Sequence, residues 1–111
     1  MICNIDDIKD NGASVYKLNN SNIDYEIIIV RKNFKIHGFK NLCPHANLPL
    51  NLNSLEVLSR DKKHLICKNH AALFDIDSGV CVSGPCIGKG LELVNLKIKD
   101  EKIFFNESKG I

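Results

Sequence analysis

Two short segments of this 111-residue chain each contain one cysteine and one histidine. The first is a C-x-H pair formed by Cys43 and His45, and the second is a C-x-x-H pair formed by Cys67 and His70, with residues 46–66 between them. Thiolate and imidazole ligands together suit zinc or an iron–sulfur centre. If both pairs bind one centre, the fold must bring two distant loops together, which constrains the chain more than any other feature.

The spacing within the first pair bears on the kind of centre. Structural zinc sites more often use C-x-x-C or H-x₃₋₅-H pairs, whose two ligands converge on one tetrahedral ion. A single proline separates Cys43 from His45, so that their side chains project to the same side of an extended segment and need not converge on one atom. Two metals a few ångströms apart would accommodate this arrangement. The spacing therefore favours a binuclear site, with a mononuclear zinc site as the alternative.

Composition indicates one globular domain over residues 1–111, with 44% hydrophobic and 25% charged residues. No apolar run approaches the roughly 20 residues of a membrane-spanning helix. The first residues show neither the basic lead nor the apolar stretch of a secretory signal, so we expect a cytoplasmic location and no membrane partner. An odd number of cysteines, five, then favours metal or redox chemistry over disulfides.

Positive charge is concentrated in the middle of the chain. Residues 31–70 carry eight basic and two acidic residues, whereas residues 1–30 carry two basic and five acidic ones. The net charge of +2 is too small to indicate nucleic-acid binding. The surplus includes Lys40 and Lys68, beside the two pairs, and it is either a solvated face or a docking surface for an acidic redox partner.

Short β-type runs alternate with turn residues, a pattern typical of an all-β sandwich or barrel with antiparallel pairing. The sequence predicts strands at residues 15–18, 23–30, 34–39, 65–66, 73–76, 94–98 and 102–106. It predicts turns at residues 19–22, 31–33, 77–79 and 100–101. Residues 52–58 fit either a short helix or a turn. Residues 41–53 and 83–89 lack the alternation and are expected to be functional loops.

The two Cys–His pairs, with the segment 71–75 and Gly84-Pro85-Cys86, resemble the Rieske [2Fe–2S] proteins, and above all the stand-alone Rieske ferredoxins. The resemblance covers most of the chain. It implies a base of antiparallel sheets, a β-sandwich, with a small cluster-binding subdomain at about residues 41–88. The loop at residues 84–85 would cover the cluster.

The same resemblance implies a cofactor and its ligands. It implies one [2Fe–2S] cluster per chain, with Cys43 and Cys67 on the inner iron and His45 and His70 on the outer iron near the surface. The implied function is that of a soluble one-electron carrier, not an enzyme, between a reductase and an oxygenase or other oxidoreductase. A small Rieske subunit of a nitrite-reductase-like enzyme and a zinc-binding interaction module are the alternatives.

The chain departs from the high-potential members of the family. Those members carry an extra disulfide-bonded cysteine in each box, and a serine and a tyrosine two and four residues after the second histidine. This chain lacks the extra cysteines and has Ala72 and Phe74 at the two later positions. Because hydroxyl donors stabilise the reduced, negative cluster, their absence predicts a low-potential centre.

The other cysteines and histidines have no ligand-like spacing. Cys3 is expected to be a small hydrophobic residue of the first strand, and Cys81 and Cys86, on either side of the covering loop, are expected to be buried thiols. Pairing of these two with each other, or tuning of the cluster, is the alternative. His37 and His64 are expected to be structural or surface groups.

Overall fold

The computed structural model describes residues 2–20, 23–33, 35–44, 50, 57–67, 72–84 and 87–106. In these residues the chain forms strands and one 3₁₀ turn at Ile5–Asp7, and every strand pairing is antiparallel. The all-β prediction is thus confirmed. None of the described segments forms a helix with the length and apolar character needed to span a bilayer.

The described residues form ten strands. They are β1 (Cys3–Asn4), β2 (Gly12–Asn20), β3 (Ile23–Lys32), β4 (Lys35–Lys40), β5 (His64–Cys67), β6 (Ala72–Asp75), β7 (Cys81–Ser83), β8 (Leu93–Val94), β9 (Leu96–Lys99) and β10 (Lys102–Phe105). The largest sheet has the order β2-β3-β4-β8, and two three-stranded sheets have the orders β1-β10-β9 and β5-β6-β7. The sheet β5-β6-β7 lies within the segment 41–88.

Strand β3 separates two hydrophobic cores. Ile28 and Val30 pack into a large core, whereas Ile27 and Ile29 pack into a small core, and all four are at most 1% exposed. Alternate side chains of a strand point to opposite faces of its sheet, so one unbroken apolar run can serve both cores. The large core also contains side chains of β5, β6 and β7, and the small core contains side chains of β1 and β10. The two smaller sheets therefore cover opposite faces of the largest one.

The structure corrects the predicted break at residues 31–33. Arg31 and Lys32 continue β3, and the chain turns at Asn33, whose φ is 53°. The Nη1 group of Arg31 donates hydrogen bonds to the carbonyls of Ile5 (3.2 Å) and Ile8 (2.9 Å). Ile5 begins the N-terminal 3₁₀ turn and Ile8 follows it, so the side chain of Arg31 connects this turn to β3, in which Arg31 pairs with Gly12 and Ile36.

The first predicted turn is also shorter than expected. Asn19 and Asn20 belong to β2 and pair with Asp24 and Ile23 of β3, so the strand prediction at residues 15–18 is confirmed but too short. The predicted strands at residues 65–66 and 73–76 correspond to β5 and β6. The position of Phe34 lies outside the described residues.

The region of residues 94–98 forms two strands instead of the single predicted one. β8 pairs with β4 in the largest sheet, whereas β9 pairs with β10, and the chain passes between the sheets at Asn95. Ile98, which the alternation predicted to be half-buried, is 46% exposed. The residues on either side of Asn95 lie close to Gly38 of β4. A Cβ at Gly38 would lie 2.7 Å from Leu96 Cδ1 and 2.8 Å from Val94 O.

The remaining turn predictions are confirmed. Asp100 and Glu101, with φ of 53° and 62°, connect β9 to β10. Turn residues follow β6 up to Ser78, whose backbone N–H donates to Asp75 Oδ2 at 2.8 Å. The segment 52–56 lies outside the described residues, and Leu58 beyond it forms a bridge with Leu65 of β5.

Replacement of Gly38 by alanine is expected to destabilise the protein by about 1–3 kcal/mol, because the added methyl group meets a backbone carbonyl and a packed leucine. Urea unfolding at equilibrium measures this loss. Gly90→Ala is the matched control, since a Cβ at Gly90 would be no closer than 3.3 Å to another atom. Equal losses in the two variants would contradict the close approach at Gly38.

Candidate metal centre

The first cysteine of the proposed site lies just beyond the end of β4. Cys43 is 0% exposed and belongs to the large core. The backbone N–H of Lys40 donates to Glu92 O (2.8 Å), and that of Asn41 donates to Glu26 O (2.9 Å). The main chain is thus held to its neighbours up to two residues before Cys43.

The side chain of Asn41 connects the two ends of the loop that contains Cys43. Its Oδ1 atom accepts a hydrogen bond from the backbone N–H of Leu50 at 2.9 Å, and its Nδ2 group donates to Glu26 Oε1 at 3.2 Å. Asn41 is 5% exposed and Leu50 is 0% exposed. Because a buried N–H without an acceptor is costly, this contact fixes where the loop returns to the core.

The second cysteine is the last residue of β5. Cys67 is 0% exposed, and it pairs with Ala72 at the start of β6. It belongs to the same large core as Cys43. The structure therefore brings the two predicted thiol ligands, from two separate loops, into one buried cluster of side chains.

A third segment approaches the same region. Gly84 follows β7 with a φ of +104°, and a Cβ on it would lie 2.8 Å from Ala72 Cα. Only glycine combines this backbone conformation with such an approach at low cost. The predicted covering loop thus begins in contact with the residue opposite Cys67, whereas Pro85 and Cys86 lie outside the described residues.

The two positions that carry hydroxyl groups in the high-potential relatives are fully buried. Ala72 and Phe74, both in β6, are 0% exposed and belong to the large core. Neither side chain can donate a hydrogen bond. The buried side chains at these two positions are thus a methyl and a phenyl group, without hydroxyl donors.

Cys3 lies in the small core, away from Cys43 and Cys67. Burial raises the pKa of its thiol, while a hydrogen bond with Tyr16 acts in the opposite direction. Burial, followed by the hydrogen bond with Cys3, raises the pKa of Tyr16 to about 12. Cys3 is therefore a protonated thiol at neutral pH, in line with its expected role as a small hydrophobic residue of the first strand.

The other cysteine and histidine residues considered in the sequence lie in different parts of the structure. Cys81 is buried in the large core and its Sγ atom donates to Ser83 O at 3.3 Å. His37 Nε2 lies 3.6 Å from Asp77 Oδ1, and His64 is the first residue of β5, at the opposite end of that strand from Cys67. Among the described residues no group of three or more potential metal ligands is found. His45, His70 and Lys68 lie outside the part of the chain that the structure describes.

Sequence reasoning missed the role of one residue and one contact of this region. Asn41 is part of a predicted irregular loop, and its role as the connection to Leu50 depends on a partner nine residues away. Gly84 is part of the predicted covering loop, but its contact with Ala72 depends on the pairing of β6 with β7, which the sequence does not specify. An asparagine at the junction of a strand and a long irregular segment is the sequence signal that could have indicated the first role.

Comparison with known proteins identifies the family. The family model described as the Rieske [2Fe-2S] domain matches residues 1–100. The chain belongs to this family. The predicted Rieske resemblance is thereby confirmed, and membership implies one [2Fe–2S] cluster per chain as the cofactor.

Individual relatives are more distant. The ferredoxin component of the alkene monooxygenase system of Xanthobacter autotrophicus is 26% identical over 78 residues, which are 70% of this chain and 57% of that protein. This chain therefore spans little more than half the length of that curated relative.

Two solved structures share the fold. The ferredoxin of carbazole 1,9a-dioxygenase from Nocardioides aromaticivorans IC177 superposes with a TM-score of 0.72 at 20% identity, over 92% of this chain and 90% of that one. A chain in the complex of reduced oxygenase and oxidised ferredoxin of carbazole 1,9a-dioxygenase gives a TM-score of 0.71 at 16% identity, over 94% and 88%. At these identities the likeness establishes the Rieske ferredoxin fold.

Replacement of Asn41 by alanine is expected to destabilise the protein by about 1–3 kcal/mol, because it leaves the buried N–H of Leu50 without its acceptor. The loop that carries Cys43 should then hold less iron per chain. Chemical unfolding and iron analysis measure the two effects. Glu26→Gln is the control, since its amide oxygen can still accept from Asn41 Nδ2. If N41A were no worse than E26Q, the contact with Leu50 would not hold the loop.

Proposed function

We propose that Cys43 and Cys67 hold the inner iron of a [2Fe–2S] cluster and that His45 and His70 hold the outer iron. The observation that carries this proposal is the burial of both cysteines in one core, at the ends of β4 and β5. Burial keeps water from the sulfur atoms, and Gly84 approaches Ala72, the residue that pairs with Cys67. This donor set suits the cofactor of the family to which the chain belongs.

The chemistry that the bound cluster supplies is reversible transfer of one electron. Two thiolates neutralise a [2Fe–2S] core with both irons ferric, whereas four thiolates would leave it doubly negative. The neutral imidazoles of His45 and His70 add no charge, so the added electron makes the site only singly negative. This charge balance is why such ligand sets give potentials of roughly −150 to +300 mV instead of about −400 mV.

On these grounds the protein acts as a one-electron carrier and not as an enzyme. The names of two relatives, a ferredoxin component of a monooxygenase system and a ferredoxin of a dioxygenase, support a place between a reductase and an oxygenase. The structure of an oxygenase–ferredoxin complex supports direct binding to the acceptor. The partners we propose are therefore a reductase as donor and an oxygenase or other oxidoreductase as acceptor.

We further propose that residues 1–111 form one domain and that residues of about 41–88 form its cluster-binding part. The sheet β5-β6-β7, Cys43 and Gly84 all lie within that range. A cytoplasmic location is proposed because a reducing compartment keeps cysteine ligands from forming disulfides.

Replacement of Cys43 or Cys67 by serine is expected to abolish the cluster, because a serine hydroxyl is a poor ligand for iron in such a site. Iron and acid-labile sulfide analysis of the purified protein, with the visible spectrum, measures the loss. Cys3→Ser is the matched control, since Cys3 lies in the small core. Wild-type protein with zinc and no sulfide, or a C67S variant with an intact cluster, would disprove the ligand assignment.

The midpoint potential is expected near the lower end of the range of roughly −150 to +300 mV, because Ala72 and Phe74 donate no hydrogen bonds. Ala72→Ser should raise it by about 60 mV, the equivalent of about 1.4 kcal/mol from one new hydrogen bond to the reduced centre. Redox titration followed by the visible spectrum measures both values.

Ala13→Ser is the control for that titration, since it adds the same hydroxyl group on β2. Its midpoint should equal that of the wild type. A wild-type midpoint well above zero, or equal shifts in the two variants, would refute the argument from hydroxyl donors.

A further inference from the structure

Two turns that are distant in sequence meet at a small cavity. Lys32 and Lys35 lie at the ends of β3 and β4 on either side of the first turn, and the turn before β5 contributes Lys63. The cavity has a volume of about 180 Å³, and its other lining residues include His37 and Asp77. We call this site, defined by the three lysines and the cavity between them, the basic pocket.

The three lysines of the basic pocket form no ion pair within the described part of the chain. Lys32 and Lys35 are directly opposite each other in the β3–β4 pairing, where like charges repel. No ion pair within 4.0 Å joins either of them, or Lys63, to a carboxylate among the described residues. An external anionic group would therefore relieve repulsion that the fold itself leaves in place.

The two carboxylates beside the basic pocket have other partners. Asp75 Oδ2 accepts hydrogen bonds from the backbone N–H and the hydroxyl group of Ser78, both at 2.8 Å. These hydrogen bonds lower the pKa of Asp75, so that it is ionised at neutral pH. Asp77 lies 3.6 Å from His37. Asp75 and Asp77 thus line the pocket beside the lysines without forming ion pairs with them, so that the pocket presents both carboxylates and ammonium groups.

The basic pocket and the buried cysteines lie at opposite ends of β5. His64, next to Lys63, begins the strand and Cys67 ends it, so that about 10 Å of extended chain separates them. In the largest sheet, Lys35 begins β4, whereas Cys43 lies beyond its other end. Of the basic residues between positions 31 and 70 that the structure describes, Lys40 alone is within three residues of Cys43 or Cys67.

We propose that the basic pocket binds an acidic segment of a protein partner, away from the end of the molecule where Cys43 and Cys67 lie. The inference rests on the proposed function in one respect, that this partner is another component of the electron-transfer system. A carrier bound through the basic pocket would keep the end that contains Cys43 and Cys67 available for electron transfer. The docking surface is therefore the basic pocket and not the surface beside the two cysteines, where the sequence alone suggested it.

The charge pattern favours a protein over a nucleic acid or a bilayer. Asp75 and Asp77 line the same pocket as the three lysines, so a matching surface needs groups of both signs. A phosphate backbone or an anionic membrane offers negative charge alone and would meet repulsion from these carboxylates. The small net charge of +2 also gives little general attraction for polyanions.

The experiment compares two variants of the holoprotein that each lose three positive charges. The pocket variant is K32Q/K35Q/K63Q, and the hairpin variant is K97Q/K99Q/K102Q. The hairpin variant is closely matched, because Lys99 and Lys102 are also directly opposite each other, but Asp100 and Glu101 lie between them in the turn. The probe is a short fluorescent peptide of Glu-Glu-Lys repeats, which is acidic overall and carries groups of both signs, and its binding is measured by fluorescence anisotropy at low and high salt.

We expect the pocket variant to bind the peptide about tenfold more weakly at low salt, and the hairpin variant to bind within about twofold of the wild type. Bound peptide should leave the rate at which dithionite reduces the cluster unchanged. Equal weakening in both variants would show a general charge effect and overturn the inference. So would slower reduction of the cluster with peptide bound, or tighter binding of duplex DNA or phosphatidylserine vesicles than of the peptide.

Iron and sulfide content, measured on the same preparations, separates this inference from the proposed function. Protein without iron and sulfide would overturn the carrier function and leave the peptide comparison valid as a test of the pocket. Protein with an intact cluster and no difference between the two variants would overturn the basic pocket alone.

Discussion

A thiolate buried in an apolar core is unfavourable unless a cation neutralises it, and this chain buries two cysteines together. Much of the surrounding structure provides that burial. β4 and β5 deliver Cys43 and Cys67 at their ends, Asn41 fixes the return of the first loop, and Gly84 allows a third segment to approach closely. A metal cluster bound by these sulfur atoms would satisfy the charge that the fold encloses. The fold and the cofactor are therefore parts of one electrostatic arrangement.

Except for Lys40, the described basic residues of the central segment also lie apart from the candidate thiol ligands. They concentrate at the turns that begin β4 and β5, while the cysteines lie where these strands end. The sequence alone suggested a basic surface beside the cluster, since residues 31–70 contain both features. Antiparallel strands place the two ends of a short segment at opposite sides of a sheet, so that nearness in sequence does not mean nearness in space.

Local signals in the sequence predicted the parts of the fold that depend on local chemistry. Alternation and turn residues located most strands and the turn at Asp100 and Glu101. They failed at Arg31, which pairs with Gly12 and Ile36 in the sheet and donates hydrogen bonds to the distant carbonyls of Ile5 and Ile8. They also treated residues 94–98 as one strand, because an alternating pattern does not specify which sheet a strand joins. For the site, paired spacing predicts Cys43 and Cys67 as ligands, and the structure buries both in one core, but spacing could not predict the contact of Asn41 with Leu50.

The burial of β3 on both faces couples the two halves of the molecule. Ile28 and Val30 contact the core that contains the candidate ligands, and Ile27 and Ile29 contact the core formed with the terminal strands. Neither core can loosen without exposing one face of the same strand, so the domain should unfold as a single cooperative unit. Binding energy from a cluster held in the large core would then also protect the amides of β10, in the small core, from hydrogen exchange. Loading of the cofactor would in this way stabilise the terminal strands as well as the site itself.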